Sequence, residues 1–335
     1  MEIISNIAQI EPYDSKIFRE YFEGLAISII DIETTGLNPS FAKVILGGLL
    51  APEEEHIKIV QYFADGYDEE GTLLQSYGKA LAASDVLITY NGYRFDLPFL
   101  KHRSRKHGLN MDLDTAQSFD LYRALHYHSK MREILPDLRQ KSIEVFLGLA
   151  PNREDEISGE ESVDLYKEYM RTRSTSAREK VLLHNRDDLI QLASILRILD
   201  KLDLHRILFY EGFTIPSQDK RIHVKQISVG SGNLVVTART KNVSLDYYSF
   251  ETGYQAIHKA SEKQLTLSIP YEKRHGACFI DLESIDADFA PLEKYPSYES
   301  GYLILEEKGK INYAEINKTV KVILGEILNA SMIFL

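Results

Sequence analysis

The chain has 335 residues, of which 44% are hydrophobic and 27% charged, and a formal net charge of −11; it is long enough for two ordinary domains, too polar for a bundle of membrane-spanning helices, and too rich in Tyr and Phe for a disordered chain. A single cysteine, Cys278, excludes an intramolecular disulfide and a cysteine-based zinc cluster, and fits a reducing, cytoplasmic setting. The acidity is uneven: residues 206–335 hold 15 Lys and Arg against 16 Asp and Glu, leaving 24 against 34 for the first 205 residues, an excess that bound divalent cations would partly cancel.

From the N-terminus, residues 1–10 carry no basic residue and no long apolar stretch, so no signal peptide is expected. Leu25–Ile32 is an apolar, β-rich run in which Ile27, Ile29, Asp31 and Glu33 share one face, with Ile30 and Ile32 on the other; apolar groups on both faces point to a central strand. A turn at TTGLNPS follows, then strands over 42–51 and 56–64 in a meander, a helix over 69–83, and a strand over 86–90. Pro98 marks the first turn of another helix, and 118–121 reads as a further strand. Residues 178–201 form the clearest helical pattern in the chain. Beyond about 204 the texture changes to short β-type runs and a final helix from about Ala314, with 211–220 reading as a connection between two domains. The apolar run 322–335 is broken by Glu326 and Asn329 and is too short to span a bilayer, so no membrane attachment is expected.

Three motifs carry chemistry. In DIETTGL, Asp31 and Glu33 leave one strand on the same face at its C-terminal end, where open α/β sheets place ligands. Such a pair is either a solvated strand end or a repelling couple that needs cations. In YNGYRFDLPFL, Asp96 lies just ahead of a helix, where capping explains it as well as a functional role does. The basic run Lys101, His102, Arg103, Arg105, Lys106, His107 fits either phosphate contacts or a solvated helix face. In HNRDD, a rotation of roughly 100° per residue puts Asp188 at the edge of the apolar arc and turns Asp187 to solvent, with His184 one turn before Asp188. His184 on its own reads as a packed histidine or as a functional one. Together, the carboxylates from strand, junction and late helix can converge on two hard cations, an arrangement suited to phosphodiester hydrolysis.

In the order and spacing of these motifs the chain resembles the DEDD exonuclease superfamily, with a ribonuclease H-like fold. Within it the chain is most similar to the YprB-like ribonuclease H-like domains, through FDLYRAL, LRQKSIEVFLGL, EDEISGEESVDLYKEY and HN followed two residues later by Asp. The resemblance implies a mixed five-stranded sheet flanked by helices within 1–205 (core 25–202), followed by a β-rich 206–335 domain that matches no family. It implies that Asp31, Glu33, Asp96 and Asp188 bind two Mg²⁺ or Mn²⁺ ions, that His184 assists the attacking water, that Thr34, Thr35, Gly36 and Asn91 contact substrate, and that Asp120 supports the site. His184 stands four residues before the last Asp, where superfamily members have either Tyr at four or His at five, so its reach differs from theirs. The implied activity is metal-dependent 3′→5′ exonuclease cleavage of DNA or RNA; the alternative is a catalytically weak nucleic-acid-binding or scaffolding protein. In the C-terminal half, Lys220, Arg221, Lys225, Arg239 and Lys241 lie near Tyr247, Tyr248 and Phe250. This pattern fits a nucleic-acid platform, but filling of a small β core is favoured, and a protein partner for this half is a further alternative.

Overall fold

The structure is a computed structural model that describes all residues except 54, 55, 150–152, 156, 251, 252, 334 and 335, and side chains up to residue 329. Two compact units emerge, one from 1–20 and 25–202, the other from 21–24 and 203–335.

The first unit is built on a six-stranded sheet in the order β1-β4-β3-β2-β5-β6, where β1 is Glu2–Ala8, β2 Ile27–Thr34, β3 Val44–Glu53, β4 His56–Phe63, β5 Val86–Thr89 and β6 Gln117–Asp120. β1 to β4 pair antiparallel, whereas β5 and β6 run parallel to β2. The expected fold class holds, with six strands in place of five. The added strand is the N-terminal extension, whose seven residues pair with the open edge of β4 and satisfy backbone groups that would otherwise face solvent. The helices of this part of the chain are α1 (Lys16–Phe22), α2 (Glu70–Ala82), α3 (Asp96–Lys106), α4 (Leu121–His128), α5 (Met131–Ile134), α6 (Gln140–Phe146), α7 (Gly159–Thr172) and α8 (Thr175–Ile195).

Two adjacent glycines in β3 explain how closely the helices approach the sheet. Neighbouring strand residues face opposite ways. A Cβ on Gly47 would overlap the ring of Tyr77 from α2, and one on Gly48 would overlap the Asn185 amide from α8, so α2 and α8 lie on opposite faces. Ile30, Ile32, Leu73, Leu74, Tyr77 and Phe99 fill one core, and Ile45, Phe63, Tyr166 and Val181 fill another. Hydroxyls at the N-caps fix where α7 and α8 start: Ser158 and Glu161 form a reciprocal capping box, and Ser174 accepts from the Ala177 N–H.

The second unit contains α9 (Leu204–Glu211), the sheet β10-β11-β12-β9-β8-β7, a smaller antiparallel sheet over 272–311, and α10 (Tyr313–Ile333). In the six-stranded sheet, β7 is Thr214–Ser217, β8 Lys220–Gly230, β9 Asn233–Lys241, β10 Tyr247–Phe250, β11 Gln255–Lys259 and β12 Gln264–Pro270, all antiparallel. The stretch 211–220, expected to be a connection, is instead the end of α9, the strand β7 and its hairpin turn; Pro216 is tolerated because β7 lies at the sheet edge. Among the described residues, no helix is long and apolar enough to cross a membrane.

Candidate active site

The C-terminal end of β2 is where chemistry collects. Side-chain alternation sends Asp31 and Glu33 to the face covered by α7 and α8. There Asn185 Nδ2 donates to Asp31 Oδ2 at 2.8 Å and Ser162 Oγ donates to Glu33 Oε2 at 3.0 Å. Asn185 is itself held by Gln61, whose Nε2 donates to Asn185 Oδ1 at 2.9 Å. Asp96 is the first residue of α3 and not its N-cap, which is Phe95. The Asp96 Oδ1 accepts from the Ile32 N–H at 3.1 Å, which ties α3 to the end of β2.

α8 supplies the rest. His184 Nε2 lies 3.9 Å from Glu33 Oε1 and 3.6 Å from Asp188 Oδ2, and its Nδ1 lies 3.1 Å from Asp155 Oδ2. Glu33, His184 and Asp188 each offer a ligand atom within 4.8 Å of one another. Glu33, Asp96, Asp155, Ser162, His184, Asn185 and Gln61 are buried and Asp31 is half-buried, while the Asp188 side chain is 24% exposed to a cleft of about 810 Å³. Asp31, Glu33, Thr34, Gly36 and His184 line the same cleft, with Arg139, Lys141 and Lys167 also on its wall.

Burial and mutual repulsion set the electrostatics. Burial pushes the Asp31 carboxyl well above the usual range, and the charges of Asp96, Asp188 and Glu33 push it further. Burial also raises Glu33 to about 7, against the pull of His184, and Asp96 to about 7, against backbone N–H donors. For His184 burial lowers the pKa, but the charges of Glu33, Asp188 and Asp155 outweigh it and the net shift is upward. A cluster of oxygen donors held together against its own repulsion has the donor chemistry of a hard-cation site.

Arg153 enters this cluster with no forewarning from the sequence. Its guanidinium is 7% exposed and reaches Glu144 at 2.8 Å, Asp155 at 2.5 Å and Asp188 at 2.7 Å. Asp155, Asn185, Ser162 and Glu144 were likewise missed as individual residues. The one signal for Asp155 and Ser162 was that both fall inside the 154–169 stretch that carries the family likeness.

Asp187 is a correction. The helix phase turns it to solvent, yet it is buried, and its Oδ2 accepts from the backbone N–H groups of Glu154 and Asp155, each at 2.7 Å. Helical phase separates the sheet side of α8 from its far side, but whether the far side meets solvent depends on other segments. Here Arg153–Asp155 packs over it, so Asp187 holds the loop that carries Arg153 and Asp155 into the cleft.

Of the other expected site residues, Thr35 and Asn91 do not line the cleft. The Thr35 hydroxyl accepts from the Lys43 N–H at 2.9 Å and closes the turn after β2. Asn91, at φ 63°, starts the turn after β5, where its N–H and that of Tyr93 donate to the two oxygens of Asp120, both at 2.9 Å. Asp120 therefore braces the turn that leads into Asp96. In the basic run, Arg103 is neither solvated nor free for phosphate. It is buried against Glu70, with Nε 2.7 Å and Nη2 2.5 Å from the carboxylate oxygens, and His107 Nε2 adds a third contact at 2.8 Å. Lys101 is paired with Asp114 at 2.8 Å.

The architecture defines an α/β protein with a mixed sheet and an acidic cleft at the end of β2, the strand with one antiparallel and one parallel neighbour. A model of the RNase H superfamily matches residues 28–200, and the chain belongs to that superfamily. Solved structures similar to it include the family B DNA polymerase of the hyperthermophilic archaeon Pyrobaculum calidifontis, with 16% identity and TM-score 0.43 over 56% of this chain and 26% of the polymerase. Exonuclease I from Methylocaldum szegediense shows 12% identity and TM-score 0.36 over 63% of this chain and 54% of that one. Exonuclease I of E. coli, solved with a dT13 oligonucleotide, shows 10% identity and TM-score 0.35 over 64% and 55%. The chain thus spans about a quarter of the polymerase and just over half of the exonucleases. No curated protein matches it.

Proposed function

We propose that this protein is a metal-dependent nuclease of the DEDD type that hydrolyses phosphodiester bonds of DNA or RNA, removing nucleotides in the 3′→5′ direction, with the chemistry in residues 1–205. The observation that carries this reading is the convergence of Asp31, Glu33, Asp96 and Asp188, with His184, at one end of β2. The four carboxylates are the ligands for two Mg²⁺ or Mn²⁺ ions. When bound, the ions supply a lowered pKa for the attacking water and charge stabilisation at the phosphoryl and leaving oxygens.

The chain's own residues do the remainder. His184 faces the carboxylates through Nε2, the atom placed to accept the proton of the attacking water, while Asp155 beside Nδ1 keeps the ring turned that way. Thr34 and Gly36, on the cleft wall, position the terminal nucleotide, and Arg139, Lys141 and Lys167 attract the phosphate backbone. Asp120 and Asn91 act indirectly, through the turn ahead of Asp96. The lone buried thiol Cys278 supports a cytoplasmic setting.

End-labelled single- and double-stranded DNA and RNA, incubated with Mg²⁺, Mn²⁺ or EDTA, test this reading. A ladder shortening from the 3′ end only with metal supports it. Binding without hydrolysis under every condition would leave the scaffolding alternative in its place.

A further inference from the structure

The six-stranded sheet of the second unit has one face whose cross-strand rows are set by its register. Tyr248, Ile257, Thr266 and Thr237 stand opposite one another across β10, β11, β12 and β9; one step along lie Phe250 and Gln255, and on the other side lie Lys259, Gln264 and Arg239. The inward residues between them, Ala256, Leu265, Leu267, Val236 and Ala238, are all buried. The face itself is open: Tyr248 is 54% and Phe250 69% exposed, and Thr237 and Thr266 are exposed as well. This refines the reading of the aromatic cluster as β-core filling, which holds for the partly buried Tyr247 but not for Tyr248 and Phe250.

We infer that this face binds single-stranded nucleic acid, with Tyr248 and Phe250 as stacking rings and Arg239 and Lys259 as phosphate contacts. Aromatic side chains two residues apart on a strand are about 6.7 Å apart, room for successive bases of an extended strand to lie on each ring. The charged residues in these three rows are Arg239 and Lys259, in a chain of net charge −11; the Asp246 carboxylate flanks them, accepting from the Ala260 N–H at 2.8 Å and from the Tyr248 hydroxyl at 3.4 Å. Arg239 Nη1 and Lys259 Nζ both turn toward Glu262, at 3.5 Å from its backbone oxygen and 3.2 Å from its carboxylate, exposed contacts that a phosphate can replace. Thr237 and Thr266 add hydroxyls between the rings and the cations. A single strand fits this combination better than a duplex, whose bases are already stacked and whose width suits a groove reader.

This inference goes beyond the nuclease reading, and binding can be measured without hydrolysis. The full chain in EDTA is titrated with fluorescein-labelled oligothymidylate, oligouridylate and a matched duplex, followed by anisotropy. Wild type should bind the single strands and prefer them to duplex. Tyr248→Ala/Phe250→Ala should raise Kd roughly tenfold or more, and Arg239→Gln should flatten the dependence of log K on log salt by about 0.7. Tyr248 and Phe250 are exposed and Arg239 is half-buried; the melting temperatures of both variants are checked against wild type, and Ile257→Lys gives an independent lesion of the same row. Failure of all hydrolysis with intact EDTA binding would remove the nuclease reading alone. Unchanged Kd in all three variants, or no binding by wild type, would overturn the inference. So would a change of oligomeric state or loss of a bound protein in the variants with oligonucleotide affinity unaltered, since the face would then serve a second copy or a protein partner.

Discussion

Two buried acidic clusters in the first unit differ in how their charge is met. Glu70 is almost fully buried, as are Glu33 and Asp96. Its carboxylate receives two bonds from Arg103, one contact from His107 and one bond from the Val44 N–H at 2.8 Å. Burial raises the Glu70 pKa, but those partners outweigh it and the net shift is downward. At the end of β2, Asp31 is met by Asn185, Glu33 by Ser162 and His184, and Asp96 by backbone N–H groups; burial outweighs these partners and all three go upward. Burial of a carboxylate is therefore no mark of function by itself. The mark is burial that the protein leaves under-compensated, because such a group is poised for a cation the fold does not supply.

The strongest way to break this contrast is Asp31→Asn. Loss of that ligand should reduce metal-dependent hydrolysis by roughly 10³-fold or more, while relief of repulsion raises the melting temperature of the metal-free protein. Near-wild-type turnover by a folded variant would end the assignment. At Glu70 the expectation is the reverse: Glu70→Ala strands Arg103 in the core and should cost about 3–5 kcal/mol of stability, read by denaturant unfolding, with no direct role in turnover. Because the folded pKa of Glu70 lies below its ordinary 4.5, its contribution is complete above that value and is lost as pH falls through the folded pKa. An acid titration of wild type and Glu70→Ala should show the two stabilities converging in that window.

Metal sharpens the difference from the other side. At about a hundredfold excess over Kd, Mg²⁺ or Mn²⁺ should stabilise wild type by about 2.7 kcal/mol, and Glu33→Gln/Asp188→Asn should show little shift in the same thermal titration. Equal shifts would place the metal elsewhere. The smallest effect separates the adjacent aspartates. Asp187→Asn weakens the anchoring of two backbone N–H groups and should cost about 1–3 kcal/mol with a partial loss of turnover, whereas Asp188→Asn should abolish turnover with little loss of stability. Full activity and unchanged stability in Asp187→Asn would show that the Arg153–Asp155 segment has no role in the cleft.

What the sequence determined by itself were local and periodic matters. Alternation placed Asp31 and Glu33 on one face of a central strand, phase put Asp188 and His184 on the sheet side of α8, and the motif order identified the fold class. These follow from a repeat of two or of 3.6 residues, which any stretch of chain carries with it. The tertiary structure alone decided the rest. Asp187 is buried because a distant loop covers it, Arg103 turns inward because Glu70 arrives from another helix, and Arg153 reaches Asp188 across 35 positions of sequence. The sixth strand exists because β4 had a free edge for it. Each depends on which segments meet in space, and the desolvated charge that forces such groups to find partners is created only when they meet.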